Sequence, residues 1–504
     1  MRLEDLALAV PHAEIRTNTD REVRRAVADS RRAQPEDLFV AMAGGQNDGA
    51  AFVADAIARG ATGIATDLAG AERIGALPSG IGHLVVPNAR EAVGELAAVL
   101  AGRPSDQFRL IGVTGTDGKT TTTQLIAAVL AAAGRKVGWM TTVDIRIGDE
   151  VIANPYGLTT PEAADIQETL ARFVAAGVED AVIEVSSHAL AMDRVRGCTF
   201  DAAVYTNLAP EHLDFHGSME SYAAAKARLF EMLDSPTPKP GNRIGVVNVD
   251  DAHSWIMAAS SPAAIVSYAI DNVADVRAAR IESGLGRTRF RLMTPIQELE
   301  IETRFTGRHN VSNWLAAAAL ALAWDIDLEA VREAAETTDP PPGRLQLVRR
   351  GQPFEVIVDF AHTPQALATT LATLRGFGEG RLFLVFGMAG GRDAANRPRM
   401  GEIAATQTDF FVISTDDPGH EDPAEIAAAV ATGAREAGAV EGQQFIVELD
   451  RRTAIRNLLQ RAGPGDIVLL AGKGHEQRMR RSDHDEPWSD VAAAEELLAE
   501  LEYR

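Results

Sequence analysis

One short run constrains this chain more than any other. Gly112-Val113-Thr114-Gly115-Thr116-Asp117-Gly118-Lys119-Thr120 follows an apolar, strand-like stretch, Phe108–Val113, and opens a helical pattern from Thr121 to Ala133. Strand, glycine-rich turn and helix in that order make a phosphate-binding loop. Glycines let backbone N–H groups turn toward phosphate oxygens, a lysine sets a point charge near the β/γ-phosphates, and the next hydroxyl can ligate Mg²⁺. Gly115, Thr116, Asp117, Gly118, Lys119, Thr120 and Thr121 fill those places. The strict spacing G-x-x-x-x-G-K fails, because Val113 stands where its first glycine belongs.

At 504 residues the chain exceeds what one hydrophobic core usually supports, and about three domains are expected. The apolar fraction of 46% and charged fraction of 24% are those of a globular protein. The formal net charge of −22 repels phosphate backbones and anionic membranes. The short run Arg478–Arg481 lacks interleaved aromatics, so no nucleic-acid partner and no membrane association are expected. Met1 to Glu14 has no basic region before an apolar run, so no secretory signal is expected. The apolar stretch near Trp314 to Trp324 is too short to span a bilayer. Cys198 is the only cysteine, which fits a reducing cytoplasm and reads as a small buried hydrophobe.

Three stretches organise the chain. Residues 1–103 alternate short β-rich runs (Asp37–Met42, Thr62–Thr66, Gly82–Val86) with helical patterns (Ala50–Ala58, Ala89–Leu100), which predicts a small α/β unit. The turn residues Gly102-Arg103-Pro104-Ser105 place the first boundary. Residues 104–340 carry the phosphate loop and end at Asp339-Pro340-Pro341-Pro342-Gly343, where prolines stop any helix. Residues 341–504 alternate apolar strands (Glu355–Asp359, Leu382–Phe386, Phe410–Ser414, Asp466–Ala471) with helices. That alternation predicts a doubly wound parallel sheet whose strand C-terminal ends line a crevice.

A nucleotide loop needs a carboxylate near its metal, and Glu184 closes the buried-strand pattern Asp180–Val185. His212 and Lys226 are further candidates. Alone, each is as readily a structural or solvated residue.

Together these residues resemble the Mur ligases, and within them the branch that adds the third residue to UDP-N-acetylmuramoyl-L-alanyl-D-glutamate. The carriers run along nearly the whole chain: Asp29-Ser30-Arg31, Asp37–Ala41, Gly115–Thr122, Thr159-Thr160-Pro161-Glu162, Glu184–Leu190 and the His212 and Lys226 segments. Gly307–Asn310 with Asn313, Pro342-Gly343-Arg344, Asp359–Pro364 and Gly472–Glu476 continue the series. The resemblance implies a UDP-sugar-binding N-terminal domain, a central P-loop ATPase domain and a Rossmann-like C-terminal domain for the incoming amino acid. It implies ATP and two Mg²⁺ as cofactors. Thr120 and Glu184 would hold one Mg²⁺; His212 and Lys226, carbamylated to N6-carboxylysine, would serve the second. Lys119, Glu184, His212 and Lys226 would be the catalytic set, and Asn310, Asn313, Arg344 and Asp359 would join the loop in binding ATP. Ser30, Thr159, Thr160, Ser187 and Arg194 would contact the UDP-muramoyl-dipeptide. The reaction implied is amide formation through an acyl-phosphate by a monomeric cytoplasmic enzyme, with the Pro340–Pro342 region as hinge.

The amine is where the chain departs from the pattern. Family members that add meso-diaminopimelate usually carry Asp-Asn-Pro-Arg, whose guanidinium can grip a distal carboxylate; here Asp416-Asp417-Pro418-Gly419 stands in its place. Asp416, Asp417, Glu421 and Asp422 instead favour a terminal ammonium, so L-lysine or L-ornithine is expected, with Arg392, Asp416, Asp417, Gly472 and Glu476 as the amino-acid site. Against this, Arg392 or Arg478 would let the enzyme take diaminopimelate. Gly391 and Asn396 depart from an Asp and a Lys common at these positions. A catalytically silent, nucleotide- or UDP-sugar-binding relative is a further alternative, which the four intact residues Lys119, Glu184, His212 and Lys226 disfavour.

Overall fold

The computed structural model describes residues 1–44, 48–234, 239, 241–391 and 394–503. It is an α/β structure with three principal sheets. The largest has eleven strands in the order Glu298–Thr303, Arg287–Met293, Val276–Gly284, Ala264–Ala269, Ile244–Asn248, Ala202–Tyr205, Arg109–Thr114, Asp180–Glu184, Val137–Met140, Asp144–Ile147, Glu150–Ala153. The seven strands from Val276–Gly284 to Val137–Met140 run parallel, and antiparallel strands extend both edges.

Burial explains the difference in sequence texture. Helices Lys119–Ala132 and Arg308–Ala323 cover one face of the parallel part, and Ala163–Ala175 with Met219–Glu231 cover the other. Leu110, Ile111, Val113, Ala181, Val182 and Ile183 are therefore apolar without interruption. The antiparallel strand Arg287–Met293 alternates instead: Thr288, Phe290 and Leu292 are buried, while Arg287 and Arg289 pair with Glu302 and Arg291 with Glu300.

Of the other two sheets, the N-terminal one has the order Glu14–Thr17, Gly82–Val85, Gly63–Thr66, Asp37–Ala41, Arg25–Val27. The C-terminal one has the order Gln346–Val348, Glu355–Asp359, Ile467–Ala471, Leu382–Phe386, Phe410–Ile413, Phe445–Val447, parallel except for its first strand. A buried pair, Arg451 with Asp490 at 2.7 Å, ties the helix Arg451–Arg461 to the helix Asp490–Glu500. The Arg451 guanidinium also donates to the Ala471 and Thr415 carbonyls at 2.8 and 3.3 Å, holding the ends of two strands that bear on the site.

Most expected strands lie within a residue of the observed ones. The helix expected from Thr121 begins earlier, at Lys119, because Gly118 takes the N-cap place with φ +82. Cys198 is buried, and burial pushes its thiol up to about 12, in keeping with a packing role. Among the described residues no helix is long and apolar enough to cross a membrane.

Candidate active site

Register brings the first groups together. Glu184 pairs with Val113 and Tyr205 with Thr114, so three strand ends meet where the chain turns into the phosphate loop. Gly115 has φ +152, and a Cβ there would lie 1.8 Å from Thr206 Oγ1. That close approach is used: Thr206 Oγ1 donates to the Asp117 carbonyl at 2.6 Å, and the Asp117 N–H donates to Asn207 Oδ1 at 2.9 Å. No side chain caps the helix that starts at Lys119, so its first N–H groups are left for an anionic ligand. Lys119 Nζ donates to the carbonyls of Gly115 and Thr116 at 3.1 and 2.7 Å.

Beside the loop lies a cavity of about 540 Å³, lined among others by Asp117, Thr121, Asn310, Asn313, Arg344 and Asp359. It spans the central and C-terminal sheets. Asn313 Oδ1 accepts from Thr122 Oγ1 at 3.2 Å, and Asn313 Nδ2 donates to Asn310 Oδ1 at 3.0 Å. Arg344 stacks 4.6 Å over the Phe360 ring and reaches Thr120 Oγ1 at 3.5 Å. Its Nε is buried without a partner, a donor whose desolvation costs about 1–3 kcal/mol until something accepts from it. Asp359 is already engaged: its carboxylate accepts from the N–H groups of Leu345 and Ala361 at 2.8 and 2.9 Å, so it shapes the Arg344 turn.

Glu184 is buried and accepts from the Thr142 N–H at 2.9 Å; the Thr142 hydroxyl lies 3.1 Å from Glu184 Oε2. Burial pushes its pKa up, opposed by Lys119 and by the hydrogen bond from the Thr142 N–H. Thr120 also bears on this carboxylate. The pair therefore fits a hard cation, offering oxygen donors and a need for positive charge. Lys226 is buried, donates to the Gly115 carbonyl at 2.8 Å and lies 4.4 Å from the Tyr222 ring centre. Burial, then Lys119, drives its pKa well down. As an ammonium it would oppose a second cation, whereas an uncharged amine can add CO₂ and become an oxygen ligand. His212 holds a left-handed φ of 55° on a short turn, a conformation uncommon outside glycine and recurrent at functional sites. Burial lowers its pKa to about 4, so its ring is neutral and able to ligate.

The expected acceptor residues are brought together with one exception. Thr159 Oγ1 lies 3.1 Å from the Thr142 hydroxyl that also faces Glu184. Thr160 Oγ1 donates to the Glu184 carbonyl at 2.9 Å and accepts from the Ser186 N–H at 3.0 Å. Arg194 donates to the Thr160 carbonyl at 3.2 Å and pairs with Glu162 at 2.9 Å, and its Nε is without a partner. Ser187 is buried against His216 at 3.0 Å. Ser30 stands apart, buried in the turn Ser30–Arg32. Its neighbours Asp29 and Arg32 line a cavity of about 230 Å³, shared with Arg90, Glu162 and Asp165.

The amino-acid end differs from the expectation in one physical respect. The acids are not free. Lys473, fully buried, places Nζ 2.5 Å from Glu476, 2.6 Å from Asp417 and 3.6 Å from Asp416. Three carboxylates that could otherwise share a metal ion thus share one ammonium. Glu421 is paired with Arg397 at 2.9 Å, and Asp422 caps the helix Pro423–Glu436. These two were expected to attract an ammonium, but each already serves a local partner. Gly472 must lack a side chain, since a Cβ would meet Asp416 Oδ2 at 2.4 Å. Arg478 pairs with Asp485 at 2.6 Å and faces Gly157, near the Thr159 loop. Arg392 lies outside the described residues.

Residues the sequence did not single out complete the site. Thr142 and Asn207 came together with Glu184 and Asp117 only through sheet order. Tyr222 was also missed, though helical spacing could have found it: it lies one helical turn before Lys226 and shares its face.

Comparison with known proteins agrees with this layout. The Mur ligase middle domain matches residues 113–321 and the Mur ligase glutamate ligase domain residues 343–474. The UDP-N-acetylmuramyl-tripeptide synthetase of Roseiflexus sp. is 42% identical over 96% of both chains. The UDP-N-acetylmuramoyl-L-alanyl-D-glutamate–2,6-diaminopimelate ligase of Caldanaerobacter subterraneus is 38% identical over 100% of both. A solved structure of a ligase with that same diaminopimelate name superimposes with a TM-score of 0.67 at 29% identity, covering 100% of each chain. With full-length likeness of this degree and an intact phosphate loop, carboxylate and buried lysine, the chain belongs to the Mur ligase family of ATP-dependent peptide ligases.

Proposed function

We propose that this chain joins a free diamino acid to the γ-carboxylate of D-glutamate in UDP-N-acetylmuramoyl-L-alanyl-D-glutamate, in cytoplasmic assembly of peptidoglycan precursor, acting as a monomer. The observation that carries it is the meeting of two sites at Glu184: its side chain faces Thr120 of the phosphate loop, while its backbone and Thr142 hold Thr160 and Thr159. The division into domains 1–103, 104–340 and 341–504 is part of this reading, supported by each sheet's falling within one range.

In this reading ATP fills the 540 Å³ cavity, with its phosphates on the Gly115–Thr121 backbone and its charge met by Lys119 and Arg344. Two Mg²⁺, one held by Thr120 and Glu184 and the second by His212 and a carbamylated Lys226, would offset the negative charge of the reacting phosphate. A γ-carboxylate oxygen attacks the γ-phosphorus, an acyl–oxygen–phosphorus bond forms, and ADP leaves. The incoming amine, having lost its proton, attacks the acyl carbon, and phosphate departs with one carboxylate oxygen. Ser187, Arg194, Thr159 and Thr160 hold the acceptor still, and Ser30 with the Asp29–Arg32 cavity serves its nucleotide end. Closure of the C-terminal sheet over the loop excludes water from the anhydride.

For the amine we favour L-lysine or L-ornithine over meso-diaminopimelate. The position of the distal guanidinium is Gly419, and Asp416, Asp417 and Glu476 outnumber the ammonium of Lys473. The diaminopimelate reading has its own support: relatives carry that substrate in their names, and Arg478 stands near the acceptor loop. ADP release with a panel of amino acids separates them. A kcat/KM for L-lysine or L-ornithine at least about tenfold above that for diaminopimelate is expected, about 1.4 kcal/mol of discrimination. The reverse order overturns the choice of amine and leaves the ligase reading standing.

A further inference from the structure

Tyr222 and Lys226 rise from one face of the helix Met219–Glu231. Tyr222 is 1% exposed and does more than cover the lysine. Its hydroxyl lies 3.1 Å from Thr116 Oγ1 in the phosphate loop, and Thr116 Oγ1 accepts the Ala209 N–H at 3.0 Å. The same phenol bears on Ser187, whose Oγ is 3.0 Å from His216 Nε2. His216 in turn packs against the Tyr222 ring, with centroids 5.0 Å apart. Tyr222 thus lies between the loop that receives ATP and, with the half-buried His216, a buried serine of the acceptor site.

We propose that Tyr222 and His216 are positioning residues that fix Ser187 relative to the phosphate loop, so that the acceptor carboxylate meets the γ-phosphorus in line. The inference rests on the proposed function, since Ser187 matters only if it touches the muramoyl peptide. In the step it serves, a carboxylate oxygen–phosphorus bond forms and the phosphorus–oxygen bond to ADP breaks, with no proton transferred. Alignment is then the whole contribution, and a misplacement of about 1 Å is enough to cost on the order of 10²-fold in rate.

The test uses Tyr222→Phe, which keeps the ring over Lys226 and removes only the hydroxyl, together with Ser187→Ala and the double variant. The first step is read alone, as positional isotope exchange in ATP with the acceptor present and the amino acid withheld. Tyr222→Phe is expected to slow exchange and kcat about tenfold, with ATP affinity and melting temperature held, and to cost less than about twofold more in the Ser187→Ala background. His216→Gln, whose amide can still bond Ser187, should retain more exchange than His216→Ala. Multiplying losses in the double variant, or a loss of ATP affinity with exchange untouched, overturns the inference. Absence of acceptor-dependent exchange in the unaltered chain overturns the proposed function together with it.

Discussion

Lys473→Met is a sharp test of the electrostatics at the amino-acid end. The side chain is fully buried and its ammonium sits within 2.6 Å of Asp417 and 2.5 Å of Glu476, with Asp416 at 3.6 Å. Methionine fills the same volume without charge, so three carboxylates lose their shared partner. Breaking a buried ion pair costs about 3–5 kcal/mol, because the remaining charge is left unpaired. Glu476 is 32% exposed and partly solvated, which discounts its share, so we expect about 3 kcal/mol. A multidomain chain does not unfold in one step, so the loss is best read locally, as faster hydrogen exchange in the strand Ile467–Ala471. Glu476 supplies the pH signature. Burial already raises its pKa above the usual 4.5, and without Lys473 the rise increases. A raised folded-state pKa means that stability is intact below the unfolded value and lost as pH climbs through the folded one. The variant's deficit should therefore be largest at pH 8 and narrow as pH falls toward 4.5. Divalent cations should also slow exchange in the variant and not in the unaltered chain, because the three carboxylates then converge on no internal cation. A deficit below about 1 kcal/mol, or one independent of pH, would refute the claim that Lys473 is the shared partner of these three carboxylates.

Other outcomes follow from the same geometry. Gly115→Ala puts a carbon 1.8 Å from Thr206 Oγ1, so nucleotide affinity measured by calorimetry should fall at least about a hundredfold while the two outer sheets keep their exchange protection; near-normal affinity would contradict the loop's role. Lys226→Ala should abolish most turnover and regain part of it with added short carboxylates, and the unaltered enzyme should lose activity when CO₂ and bicarbonate are removed; indifference to both would sink the carbamate. His212 and His216 are held neutral at about 4 against 6.5 unfolded, so their contribution is present above pH 6.5 and is lost as pH falls from there toward 4. The melting temperature should drop across that window, and less steeply in His212→Asn/His216→Asn; parallel slopes would show that other groups carry the acid loss.

What the sequence could show depended on how local the signal was. The phosphate loop was legible because strand, glycines, lysine and helix are contiguous, and Glu184 because it ends an uninterrupted apolar strand. Tyr222 was passed over, although helical spacing from Lys226 was enough to find it. By contrast, Thr142 and Asn207 reach Glu184 and Asp117 through strand order in an eleven-stranded sheet, which no local pattern encodes. The three strands between Val276 and Thr303 were not picked out, although Arg287–Met293 alternates cleanly. The acids at Asp416 and Asp417 read as a free negative patch because Lys473 lies 56 residues from Asp417 in the chain and joins them only when Ile467–Ala471 enters the sheet.

The central claim is that the acceptor's own carboxylate is activated by phosphorylation before the amine arrives. Synthesis of the acceptor with ¹⁸O in the D-glutamyl γ-carboxylate, followed by turnover with ATP and L-lysine, tests it directly. The account predicts one labelled oxygen in the inorganic phosphate released for each amide formed. Amide formation with unlabelled phosphate, or label transferred to a nucleotide, would contradict it.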